Sequence, residues 1–251
     1  MGFIIFKGGL NKAGVFVLLV MWIPGIVSLG YRTIARIGFH DIGWKLGPIK
    51  YWFLAFFIPF LVAAVSYPIS WFLGISEFRL PSPEMLNRNE VETAFELVFK
   101  VYPLSFLMGC FAALGEELGW RGFLIPKLYS AGWKKPLMAS SFIWGVWHFP
   151  LILWGGYASS DIPIISVLLF MVIITLAGVF VGWLRMISGS VWVAMVYHAA
   201  HNFFLQTAFE VFNKPGPTNP YFSGESGVIP CLVYLVILFV LYKSISKKSF
   251  R

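Results

Sequence analysis

The chain is short of charge. Only 12% of its 251 residues are Asp, Glu, Lys or Arg, and 59% are hydrophobic. A soluble domain of this length carries about a quarter charged residues. A water-soluble enzyme is thereby excluded, and several apolar runs near 20 residues point to an integral membrane protein. Cysteine is equally scarce. Cys110 and Cys231 are the two present, both inside apolar runs. Neither has a second thiol or a histidine at metal-ligand spacing, so a disulfide framework and a zinc-thiolate site are excluded. There is no HExxH, no GxSxG and no Gly-rich phosphate loop. No Ser, Cys or Thr stands in an obvious nucleophile setting. Acids are fewer than bases, 11 against 19, which leaves a net charge of +8. In a membrane protein that excess reads as basic cytoplasmic loops, not as a nucleic-acid surface. Lys7 and Lys12 precede the first apolar run, but no small-residue cleavage site follows it. The run at 14–30 therefore reads as a retained span.

Seven apolar segments are present, at about 14–30, 51–74, 98–127, 136–154, 162–184, 188–211 and 228–243. In lipid only helices and closed barrels satisfy the backbone. These runs are continuous, not alternating, so the expected fold is all-α: a polytopic helical bundle of about seven spans. The whole chain, 1–251, reads as one membrane domain with a core at about 98–211. Loops 31–50 and 127–135, Arg185 and the tail from Lys243 are basic. They alternate with loops holding Glu77, Glu84, Glu90, Glu92, Asp161, Glu210 and Glu225. The basic loops are expected in the cytoplasm, with the N-terminus outside. Lys7 and Lys12 run mildly against this. Loop 31–50, mixing bases, glycines and aromatics, is expected along the cytoplasmic surface.

Against this background GEELGWRG, 115–122, is anomalous. The apolar pattern resumes after the glutamates and continues to Pro126. A helix over 98–127 puts Glu116 roughly 16 Å from its cytoplasmic end, inside the bilayer thickness. An ionisable residue there is costly and is a functional candidate. Glu117 and Arg121 are four apart, share a face and suit an ion pair. Glu116 is turned about 100° away and is free to point into a polar site. His148 stands on the fourth span, and His198, His201 and Asn202 on the sixth. Polar groups at similar depth on three helices suit one shared pocket. One carboxylate and two histidines could hold a zinc ion with an open position for water. They could equally activate water directly, the carboxylate taking its proton and a histidine with the amide steadying an oxyanion. Both routes are hydrolytic.

The motifs resemble those of the CAAX prenyl endopeptidase and bacteriocin-processing (CPBP, Abi) family of intramembrane proteases. Its EExxxR, FxxxH and HxxxN stand here as Glu116-Glu117-x-x-x-Arg121, Trp144-x-x-x-His148 and His198-x-x-x-Asn202, with Trp144 in the usual phenylalanine position. The resemblance implies a bundle often of eight spans, of which the first is missing here. It implies an endopeptidase acting on membrane-associated proteins or peptides. Glu116 and His148 would activate water, and His198 and Asn202 would form the oxyanion site. Many members are described as metal-dependent, which would make Glu116, His148 and His198 ligands of one zinc ion; a metal-free route is also argued. The implied setting is a bacterial plasma membrane, with the site open to the cytoplasm. The alternative from another class is a non-proteolytic membrane protein serving bacteriocin immunity or scaffolding the cell envelope. A proton-coupled transporter would need inverted repeats, and none is visible.

Overall fold

The computed structural model describes residues 12–81, 94–154, 157 and 160–245. Lys7, the acids Glu84, Glu90 and Glu92, and the tail beyond 245 lie outside the described residues. The fold is a helical bundle. Its helices are α1 (Lys12–Ile34), α2 (Ile49–Phe72), α3 (Tyr102–Gly119), α4 (Lys134–Trp147), α5 (Phe149–Leu153), α6 (Pro163–Ser188), α7 (Val191–Phe203), α8 (Asn219–Phe222) and α9 (Val228–Ile245). Two three-residue strands, β1 (Ser76–Phe78) and β2 (Asn213–Pro215), pair antiparallel at one end. Five helical stretches are long and apolar enough to cross a membrane: Gly14–Ile34, Ile49–Phe72, Leu97–Ala131, Lys134–Leu153 and Pro163–Ser188. The last two apolar segments fold as shorter helices. α7 has 13 residues and runs on into a π-helical turn, Phe204–Ala208, and Val228–Lys243 falls below the same length. Helix type thus follows the apolar runs, and the crossing count of seven rests on these two shorter helices.

Small residues set the packing around the glutamates. A Cβ on Gly115 would lie 2.7 Å from Trp22 Cα, and one on Gly119 would lie 2.5 Å from Pro24 Cβ. The glycines flanking Glu116 and Glu117 therefore let α1 and α3 touch backbone to backbone, as small residues four apart do in membranes. The two helices run parallel, Trp22 beside Phe111 and Tyr31 beside Phe123. Gly178 and Gly182 do the same for α6, receiving Ser141 and Leu137 of α4. α6 stops at Gly189, whose φ of 67° supplies the left-handed cap. Ser190 then caps α7 by accepting from the Val193 N–H.

The bundle has two distinct ends. Most of loop 35–48 is exposed, as a surface segment would be. It folds back over the ends of α3 and α7. Ile42 is fully buried, packed with Leu118 and Val191. Arg185 Nη2 donates to the Asp41 and Ile42 carbonyls at 2.8 and 2.9 Å. Arg32 pairs with Asp41 and donates to the Gly122 carbonyl at 3.0 Å. Val191 N–H donates to Gly43 O at 2.8 Å. Two arginines thus turn an interfacial loop into a plug by satisfying backbone carbonyls that burial would otherwise strand.

Candidate active site

α3 carries both glutamates on one continuous helix that extends through a π-helical turn at Trp120–Leu124. Glu117 and Arg121 are both fully buried. Arg121 Nη1 donates to Glu117 Oε1 at 2.9 Å. The same oxygen also receives His198 Nδ1 at 2.9 Å. Glu117 is therefore a bridge between α3 and α7, a role the helical spacing alone did not reveal. The Arg121 guanidinium lies 4.2 Å from the centre of the Trp144 ring, a cation–π contact that desolvation strengthens.

Glu116 points the other way. Its Oε2 accepts from the Trp144 indole and, at 3.3 Å, from the Trp120 indole. Glu116 is 2% exposed, so these donors replace water on one carboxylate oxygen. The tryptophan at 144 is thus more than an aromatic filler. His148 caps α4, and its Nδ1 lies 2.8 Å from the Trp144 carbonyl. A carbonyl only accepts, so Nδ1 bears the proton and, in the neutral ring, Nε2 keeps its lone pair. Glu116, Trp144, His148, His198 and Asn202 all line one pocket, with Val17, Val20 and Met21 of α1 as its apolar wall. The four residues expected to carry the chemistry are brought together, and Glu117 and Arg121 stand just behind them. His201 is turned elsewhere: its Nδ1 lies 2.8 Å from the Tyr234 hydroxyl.

Three pocket features escaped the sequence reading. Tyr157 stacks on His148 with ring centres 5.8 Å apart and donates to Glu225, which also lines the pocket. Gln206 Nε2 donates to the Tyr157 hydroxyl at 3.4 Å. Burial lifts the Glu225 carboxyl above its usual range, and the Tyr157 hydrogen bond offsets this only in part. Tyr157 and Glu225 sit in loops without periodicity, so nothing local marked them. Trp120 was findable, four residues after Glu116 on the same helix.

The pocket keeps clear of the end covered by loop 35–48. Neither loop 35–48 nor loop 129–133 nor the turn 188–190 contributes a lining residue. The lining runs from the level of Glu116 toward the opposite end, to Tyr157 and Glu225. Among the described residues, no group of three or more His, Cys, Asp or Glu side chains could hold a metal ion.

Residues 98–204 match the family model of the type II CAAX prenyl endopeptidase Rce1-like proteins. The motif-bearing core is similar to this family. The match covers less than half of the chain and contains every motif residue. It bears out the resemblance read from EExxxR, the aromatic-xxxH and HxxxN. A comparison with curated proteins gives no match. The matched region is thus similar to that of CAAX-type intramembrane proteases, and the apolar helices agree with an integral membrane protein.

Proposed function

We propose that the chain hydrolyses peptide bonds of membrane-associated proteins or peptides with a water activated by Glu116 and His148. The observation that carries this reading is the single pocket holding Glu116, His148, His198 and Asn202. Two indole donors hold Glu116 Oε2, which leaves the other oxygen to receive a proton. His148 Nε2, with its lone pair, orients the water as acceptor. The water oxygen attacks the scissile carbonyl while its proton passes to Glu116. The carbonyl electron pair moves onto oxygen. The Asn202 amide donates to that oxyanion. His198 does the same through Nε2–H when both ring nitrogens are protonated, with Nδ1–H held by Glu117. Glu116 then returns the proton to the amide nitrogen as the C–N bond breaks. No step runs through a metal. The apolar wall from α1 suits the extended, lipid-immersed segment of a membrane polypeptide, and the cell is taken to be bacterial.

The test is a purified protein in detergent micelles, incubated with a mixed library of hydrophobic peptides and read by mass spectrometry. Wild type yields new peptide termini, and Glu116→Gln yields none at equal folded protein. Identical product lists from the two proteins would end the proteolytic reading in favour of immunity or scaffolding.

A further inference from the structure

The chain carries a net charge of +8, yet its pocket is lined by acids. Among the described residues, Glu116 and Glu225 line it and no Lys or Arg does. Trp144, Trp147 and Tyr157 add aromatic rings to the same wall. Arg121 lies against the Trp144 ring, but it is paired with Glu117 behind the pocket. Water activation employs Glu116. It leaves Glu225 without a task.

Glu225 stands in the loop between α8 and α9. Gly224 there has a φ of 68°, and a Cβ on Gly227 would lie 2.4 Å from the Phe222 carbonyl carbon. Two glycines thus let the loop turn tightly enough to bury Glu225, which is 9% exposed. Its Oε2 accepts from the Tyr157 hydroxyl, and Tyr157 stacks on His148. The carboxyl therefore stands one ring beyond the histidine that orients the water. Among the described residues, Oε1 accepts no hydrogen bond. His201 Nε2 lies 3.7 Å from it and is itself buried without a partner. The His201 ring supplies no counter-charge. Tyr197 donates to the Tyr234 hydroxyl at 2.8 Å, so the Tyr234 proton turns to His201 Nδ1, 2.8 Å away. With Nδ1 accepting, the imidazole is neutral. A buried carboxylate without a counter-charge is costly. One kept on a pocket wall beside aromatic rings has the chemistry of a cation site.

We propose that Glu225 is the specificity-determining residue of the pocket and takes the side chain of a lysine or arginine next to the scissile bond. Oε1 accepts from the cationic nitrogen. Trp147 and Tyr157 supply apolar and π surface for its stem and charge. A cation placed there favours the ionised carboxyl that burial opposes. An acidic side chain in the same place meets a like charge and is refused. The role in specificity rests on the proteolytic reading above; the affinity for a cation does not.

Two measurements on the full chain in detergent micelles test this. The first digests the mixed hydrophobic peptide library and sorts the new termini by the residues beside the cut. Wild type is expected to enrich Lys and Arg there and to deplete Asp and Glu. Glu225→Gln should lose the enrichment, whatever its overall rate. The second measures binding to Glu116→Gln protein, which keeps Glu225 as the pocket's acid and does not turn over. Its probes are three leucine-rich peptides, alike except for a central Lys, norleucine or Glu. The Lys peptide should bind roughly tenfold tighter than the norleucine peptide, as a hydrogen bond to a charged group is worth, and the Glu peptide most weakly. Adding Glu225→Gln to that protein should abolish the difference. Products without basic enrichment overturn the inference, and so does equal affinity for the Lys and norleucine peptides. An enrichment that survives in folded Glu225→Gln overturns it too. If Glu225→Gln does not fold, the wild-type digest and the peptide series on Glu116→Gln still decide. Selective binding of the Lys peptide without cleavage by wild type leaves the cation site standing and ends the proteolytic reading.

Discussion

The two faces of α3 around the motif carry adjacent carboxylates in opposite conditions. On one face Glu117 is fully buried and paired, with Arg121 and His198 both on Oε1. On the other, Glu116 is almost as buried, yet its donors are neutral indoles and its neighbours are pocket residues. The same residue type, one position apart, becomes a strut or a reagent according to what the next helix offers. Glu117 is tied to Arg121 behind the pocket, whereas Glu116 lines it with one oxygen held by N–H donors.

The strut should fail hardest by folding. Glu117→Ala or Arg121→Ala breaks the buried ion pair and leaves the remaining charge buried without its counter-charge. The expected cost is about 3–5 kcal/mol, read as a large loss of folded protein by size-exclusion fluorescence and a lower Tm in detergent. Normal yield and melting in both variants would erase the contrast between the faces. The milder Glu117→Gln keeps the shape but weakens the hold on His198. Its kcat should fall roughly 10²-fold, as a small misplacement of a reacting group can cost, and KM should change less.

The strut was legible before the structure because it obeys a helical period: Glu117 and Arg121 are one turn apart, and that spacing is local. The spans were legible for the same reason, as continuous apolar runs. What the sequence hid is contact between distant segments. Trp144 reaches Glu116 from 28 residues away, and His198 reaches Glu117 from 81; no periodicity encodes either. The fold-back of loop 35–48 was hidden too. Its bases suited a membrane surface, whereas the structure spends Arg32 and Arg185 on buried carbonyls. The matching depth of the motif residues did point to one pocket, but not to which end it opens.

The reagent face can be sharpened at Trp144. Trp144→Phe preserves an aromatic ring and removes one donor to Glu116, leaving Trp120. A lost hydrogen bond to a charged group predicts about a tenfold fall in kcat, with Tm nearly unchanged. Unaltered kinetics would show that the indole only packs.

The smallest effect should come from the plug. Burial alone would raise the Asp41 carboxyl, but the Arg32 hydrogen bond and charge outweigh it, with Lys127 adding to them, and hold it below the usual carboxylate range. The folded state thus binds the proton less readily than the unfolded chain. The stability this supplies is present above the unfolded value of about 3.9 and is lost as pH falls through the lower folded value. Asp41→Asn should lower Tm at neutral pH by about 2–4 °C, and this gap should close on acidification to below pH 4. A gap that persists at low pH would assign the effect to packing.

The central claim is that Glu116, and not its neighbour, takes and returns the proton. The most direct measurement is turnover per folded molecule for Glu116→Gln and Glu117→Gln, side by side on one cleaved peptide. The account predicts no turnover above background for Glu116→Gln with wild-type melting, and slow but measurable turnover for Glu117→Gln with lowered melting. Residual turnover in Glu116→Gln that equals or exceeds that of Glu117→Gln would contradict it.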